Sequence, residues 1–218
     1  MTKFMQLIKD IEECRLSVDR HRIIKIVAIS KYVESSEIEP LYKLGHRAFG
    51  ESRVQDLKQK SEILSELPIE WHFVGRLQSN KINQLLDLKP ALIHSIDSLK
   101  TAQEVEKRAE VKGIKVDGLL QINSAYEESK AGVSPEEAVE LFKQIKKEFS
   151  HLNLVGVMTI GAHSEDKELV KQSFLRTKEV FDELQSEDAN ILSMGMSSDF
   201  RLAIECGSNM LRVGSAIF

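Results

Sequence analysis

The chain has 218 residues, of which 42% are hydrophobic and 29% charged, with a net charge of −4 at pH 7. That composition can fill a core and excludes a disordered chain. It also excludes the broad basic face that nucleic-acid binding requires, while leaving room for an anion held by a few local cations and amides.

Phe4, Leu7, Ile8 and Ile11, extended by Cys14 and Val18, recur at helical spacing and predict an amphipathic opening helix. Residues 23–31, IIKIVAISK, are nearly all apolar and rich in β-branched side chains, which predicts a strand buried on both faces that ends on Lys31. Ser35 opens a helical pattern through Ile38, Leu41 and Leu44, and Gly45 stops it. Further short apolar runs follow at 48–49, 71–74, 92–94, 118–122, 154–158, 191–194 and 210–213. Helical segments are predicted between them, for example over 53–65, 98–112, 135–149 and 166–185. Ser134-Pro135-Glu136-Glu137 is a strong helix start, with a capping hydroxyl, a proline at the first position and acids in the first turn.

Eight strand candidates alternating with helices predict a parallel sheet, and eight such units close into a (β/α)8 TIM barrel with an extra N-terminal helix. A doubly wound open sheet is the rival; no GxGxxG opens a helix to support it. No linker or low-complexity segment interrupts the chain, so 1–218 is expected to be a single domain. Cys14 and Cys206 form no CxxC pair and read as free thiols of a reducing compartment. The six histidines lack metal-ligand spacing, so no metal is expected. The N-terminus carries acids early and no run of about 18 apolar residues exists, so a soluble cytoplasmic protein with no leader and no membrane span is expected.

In a barrel the reactive groups gather at the carboxyl ends of the strands. The first strand ends in Ser30-Lys31, the third in Gly75-Arg76, the seventh in Gly195-Met196-Ser197-Ser198-Asp199 and the eighth in Arg212-Val213-Gly214-Ser215. The last two are rich in Gly and Ser, where such barrels often hold phosphate. A lysine amine near a phosphate cradle suits pyridoxal 5′-phosphate, and it suits other phosphorylated ligands nearly as well. Taken singly, Lys31 also reads as a solvated strand stop, Arg212 as an ion-pair partner of Asp199 or Glu205, and Ser197 as the cap of a helix starting near Asp199. His72 reads as a hydrogen-bonded core histidine, and Lys130 as part of a charged loop beside Glu127, Glu128 and Ser129.

The words VAISK at 27–31, FGE at 49–51, WHFVGRLQSNK at 71–81, NSAYEESKAG at 123–132, GVMTIG at 156–161, SMGMSSD at 193–199 and RVGSAIF at 212–218 occur in that order. Together they closely resemble the pyridoxal phosphate homeostasis proteins, from about residue 23 to the end, a family similar to the N-terminal barrel of alanine racemase. The resemblance implies that Lys31 carries the cofactor as a Schiff base. It implies that Ser197, with the backbone of Gly214 and Ser215, holds the phosphate, that Arg212 approaches the pyridine nitrogen, and that Met158 packs near the ring.

A guanidinium at that nitrogen is a permanent donor and damps carbanion chemistry. The chain also ends at Phe218, short of a second domain, and Tyr32, Tyr42 and Tyr126 match no racemase tyrosine. The expected function is therefore a carrier or buffer of pyridoxal phosphate in vitamin B6 homeostasis, monomeric, with client apoenzymes as recipients and no catalytic residues. A low-activity amino-acid racemase is the enzyme alternative, and a barrel acting on a phosphorylated substrate without a cofactor is a third. Lys130 is a candidate second amine for passing the cofactor on. Two departures from the family pattern stand out: Ser52 follows FGE where the family usually has asparagine, and the chain stops soon after the eighth strand.

Overall fold

The computed structural model describes residues 2–127 and 129–218. Helix α1 (Lys3–Val18) precedes β1 (Lys25–Ile29), α2 (Ser35–Lys43), β2 (Ala48–Glu51), α3 (Val54–Ile63) and β3 (Glu70–Phe73). Then come α4 (Ile82–Asp87), β4 (Leu92–Ile96), α5 (Leu99–Lys112), β5 (Val116–Ile122), α6 (Pro135–Glu148) and β6 (Leu152–Thr159). The chain finishes with α7 (Lys167–Glu183), β7 (Ile191–Ser193), α8 (Phe200–Glu205) and β8 (Met210–Val213). All eight strands pair in parallel and in sequence order, and β8 closes on β1 with Ala28 opposite Val213. The chain is an eight-stranded α/β barrel, as the alternation predicts.

Two apolar clusters show how the sequence fills it. Val27, Ala48, Leu92, Leu119, Met158 and Met210 come from six different strands yet form one buried cluster. Six strands can touch in common only inside the barrel, so this is its interior layer. The larger cluster joins the outward strand residues to the helices and includes Phe4, Leu7, Ile11 and Cys14 of α1.

Local chemistry sets most boundaries. Ser134 Oγ accepts the Glu137 N–H, and Pro135 occupies the first position of α6. Gly45 follows α2 at φ +98°, a left-handed conformation that glycine adopts without strain. Ser35 is not the cap of α2, however; Glu34 is, in a reciprocal box with Glu37.

The first strand is also shorter than its apolar run. Ile23 is 85% exposed, and pairing stops at Ile29, so Lys31 lies in the turn beyond the strand rather than on it. Edge burial, which a run of apolar letters does not encode, makes the difference.

Gly75 positions the mouth. A Cβ there would stand 1.9 Å from the Ser52 carbonyl oxygen, while its own carbonyl accepts from Ser95 Oγ at 2.5 Å. Gly75→Ala is expected to lose about 1–3 kcal/mol through forced backbone movement. Denaturant unfolding of the variant against the parent measures it, and no loss would mean the two loops separate freely.

Candidate functional site

The strand ends bring most of the sequence candidates to one side of the mouth. Lys31 follows Ser30, whose N–H donates to the Gly50 carbonyl at 3.0 Å and whose carbonyl receives the Val33 N–H at 3.1 Å. The Lys31 ammonium is exposed and stands 4.8 Å from the centre of the Tyr32 ring, itself 88% exposed. A buried network lies directly beneath. Lys60 Nζ donates to the Ser30 carbonyl at 2.6 Å and to Glu51 Oε1 at 2.7 Å, and Ser30 Oγ donates to the same carboxylate oxygen at 2.6 Å. The turn that presents Lys31 is therefore anchored from α3 and β2.

Ile29 lies against Gly214, where a Cβ would meet the Ile29 carbonyl oxygen at 3.2 Å. The Gly214 and Ala216 N–H groups both donate to Ser197 Oγ at 3.3 Å. Ser197 is thus not the cap of α8, a position held by Asp199. It ties the loop after β7 to the loop after β8. Two amides converging on one oxygen, with the exposed Ser215 between them, form a donor set that fits a phosphate oxygen.

Arg212 is buried and forms no ion pair with Asp199 or Glu205 among the described residues. Its Nη1 donates to the Ser193 carbonyl at 2.8 Å and to Ser193 Oγ at 2.7 Å, and its Nη2 to the Thr159 carbonyl at 2.7 Å. Desolvation brings its pKa down to about 10, with Asp199 opposing that shift through space. Asp199 instead accepts the Met196 N–H at 2.6 Å, and burial raises its own pKa. Arg212 Nε has no protein partner among the described residues. Three of the five guanidinium N–H groups are thus held by protein oxygens, and those on Nε and Nη2 that remain are donors of the kind that fits a ring-nitrogen acceptor. Met158 lies in the interior layer below, opposite Ser193 in the register of β6 and β7.

Lys130 belongs to a different side of the mouth. Its ammonium donates to Glu127 Oε1 at 2.8 Å and to the Gly161 carbonyl at 2.7 Å, clamping the loop after β5 to the loop after β6. It borders a cavity of about 240 Å³ near Arg76 and Gln121, and a groove of about 1110 Å³ reaching Ser197 and Asp199. Neither hollow is lined by Lys31 or Arg212. Glu128, read with this loop, lies outside the described residues.

Apart from His72, sequence reasoning missed the polar side chains inside the barrel. His72 Nδ1 and His94 Nε2 are 2.9 Å apart, His72 Nε2 is 3.1 Å from Glu70 Oε1, and His94 Nδ1 is 3.3 Å from Ser193 Oγ. Lys25 pairs with Glu70 at the lower end. The column runs from the start of β1 and β3, across β4 and β7, to Arg212. His72 is a hydrogen-bonded core histidine as its setting predicts. The available signal was period 2: Glu70 and His72, or Lys25 and Val27, fall on one strand face. Among the described residues, no group of three or more His, Cys, Asp or Glu is placed to hold a metal, and no helix is long and apolar enough to cross a membrane.

Comparison with known proteins places this geometry. Residues 18–218 match the family described as alanine racemase, N-terminal domain. The pyridoxal phosphate homeostasis protein of Helicobacter pylori is 54% identical over 216 residues, covering 99% of this chain and 96% of the relative. The structure of PipY from Synechococcus elongatus with PLP bound superposes with a TM-score of 0.81 at 30% identity, covering 95% of this chain and 99% of that one. The alanine racemase of Clostridium difficile shares the fold, with a TM-score of 0.78 at 18% identity; the match covers 95% of this chain and 55% of the racemase. With a barrel of this topology and relatives matched nearly end to end, the chain belongs to the pyridoxal phosphate homeostasis protein family, built on the alanine racemase N-terminal fold.

Proposed function

We propose that this protein binds pyridoxal 5′-phosphate through a Schiff base on Lys31 and serves intracellular vitamin B6 homeostasis as a cofactor carrier and buffer, without efficient amino-acid turnover. The observation that carries the reading is the convergence on adjacent strand ends of an exposed amine, a two-amide cradle and a buried arginine with donors to spare. The bound cofactor supplies an aldehyde that condenses with an amine, releasing water, and a ring whose nitrogen draws electrons when protonated.

The chain's residues do the rest. Lys31 presents the amine. The Gly214 and Ala216 amides, the exposed Ser215 between them and Ser197 would supply neutral donors for the phosphate, and Met158 would pack near the ring. Arg212 offers a hydrogen bond but no acceptor, so it favours the unprotonated ring nitrogen and weakens the electron sink. Tyr32 is turned out to solvent, which supports binding without proton exchange at an amino-acid carbon. The unpaired, buried Cys14 and Cys206 suit a reducing cytoplasm, and the protein is proposed to work there as a monomer that hands the cofactor to client apoenzymes. Lys130 is bound up in a loop clamp, which supports a structural role for it over a part in transfer.

The visible absorption spectrum after loading with pyridoxal phosphate tests the reading. The parent is expected to be yellow, with borohydride fixing the label on Lys31, and Lys31→Ala is expected to lose the band entirely. A parent protein that stays colourless would overturn the reading. Steady loss of optical activity from an L-amino acid would replace the carrier with a racemase.

A further inference from the structure

With both imidazoles neutral, the lower end of the column inside the barrel fixes one arrangement of its protons, and the upper end favours the same one. At the upper end Arg212 has donors only, so Ser193 Oγ must accept from it. The other partner of Ser193 Oγ among the described residues is His94 Nδ1, the acceptor within reach of the buried hydroxyl hydrogen, which favours donation from the serine. At the lower end Glu70 is a carboxylate, its pKa lowered to about 2 by the hydrogen bond from His72 and by Lys25. His72 Nε2 must therefore carry the hydrogen it gives to Glu70.

Burial disfavours the charged form of both imidazoles, and Lys25 already supplies the cation that faces Glu70. A neutral His72 then accepts at Nδ1, so His94 donates from Nε2 and accepts at Nδ1. That last step is the one the upper end favours. The charged or titratable neighbours of these groups are Glu70 and Lys25 around His72, His72, Lys25 and Arg212 around His94, and Asp199 around Arg212. His46, packed on Phe4 and Phe49, feels His72 through space.

We propose that His94, backed by His72, is a positioning residue for Arg212: it accepts the hydrogen bond of the Ser193 hydroxyl, leaves the serine lone pair to Nη1, and so fixes the guanidinium between Ser193 and Thr159. A shared charge on the two histidines would reverse the chain, aim a second donor at Ser193 and set a cation against Arg212. The column is thus a one-way relay that keeps Arg212 as the cation beneath the mouth. It carries no proton to the cofactor, because Arg212 cannot accept one. The inference meets the proposed cofactor site at Arg212, but the tautomers belong to the protein alone.

Two measurements test it. Nitrogen-15 NMR of the cofactor-free protein at pH 7.5 is expected to show both imidazoles neutral, with the hydrogen on Nε2. Hydrogen on Nδ1 of His94, or an imidazolium on either ring, would overturn the relay whatever the protein binds. Binding of pyridoxal phosphate is then compared for His94→Asn and His94→Gln. The asparagine oxygen overlies Nδ1 and restores the acceptor for Ser193; the glutamine amide reaches only towards Nε2. His94→Asn is expected to bind within about threefold of the parent and His94→Gln roughly tenfold more weakly, the scale of one charge-assisted hydrogen bond. Equal affinities for the two variants, or better binding by the glutamine, would exclude positioning through Ser193. The NMR result stands if the protein fails to bind the cofactor, so failure of the site and failure of the relay are separable.

Discussion

Lys60→Met is expected to cost about 3–5 kcal/mol of folding stability, the scale for leaving one member of a buried ion pair unpaired. Glu51 is fully buried, and its Oε2 has no hydrogen-bond partner among the described residues. The carboxylate therefore depends on what reaches Oε1, which is Lys60 Nζ and Ser30 Oγ. Removing the ammonium leaves one hydroxyl to support a charge inside the wall of the barrel. It also frees the Ser30 carbonyl, next to Lys31, of its 2.6 Å donor. The double variant Lys60→Met, Glu51→Leu removes both charges and is expected to recover most of the loss, since an apolar pair of similar volume is often as stable as a buried ion pair. Chemical denaturation of the three proteins measures both effects. A single variant that loses less than about 1 kcal/mol would mean the pair is solvated and the anchor beneath Lys31 weak.

The parts of this molecule that were legible in its sequence share a cause. Parallel strands covered on both sides read as unbroken apolar runs, and helices on the outside read as 3.6-residue stripes, so the alternation that makes a barrel is written in plain periodicity. Capping at Ser134 and termination at Gly45 were legible because the residue type itself performs the function. The site candidates other than Met158 gather at β1, β7 and β8 because each falls at a strand end, and the barrel rule converts that position into a place.

What was not legible depends on partners distant in sequence. Glu51 and Lys60 look like two solvated charges until α3 lays one over the other. Ser193 and His94 lie on β7 and β4, which share no ladder, and meet only across the interior. Ser197 reads as a helix cap because its position before α8 is local information, whereas its bonds to Gly214 and Ala216 are not. Arg212 has the same history: acids close in the chain suggested an ion pair, and the fold gave it carbonyl oxygens and a serine instead.

The buried histidines also predict how the fold responds to acid. Burial lowers the pKa of His46, His72 and His94, the last well below its ordinary value. The unfolded chain takes up these protons near pH 6.5, before the folded chain does. A group whose folded pKa is depressed supports the fold fully above the unfolded pKa and progressively less as the pH falls through the folded one. Stability is therefore expected to hold above about pH 7 and to decline from about pH 6.5 downward. The steepest loss is about 1.4 kcal/mol per pH unit for each histidine, so about 4 kcal/mol per unit where all three act together. Glu70, lowered to about 2 chiefly by the His72 hydrogen bond, extends the decline below pH 4.5. Asp199 opposes it, since burial raises its pKa and the folded state holds that proton longer. Denaturant unfolding of the cofactor-free protein at pH 7.5, 6.5 and 5.5 measures the slope, and equal stability at all three values would show that the imidazoles titrate in the fold as freely as in water. His94→Asn should flatten the curve by one proton's share, because the group that is hardest to charge in this barrel is also the one that holds Arg212 in place.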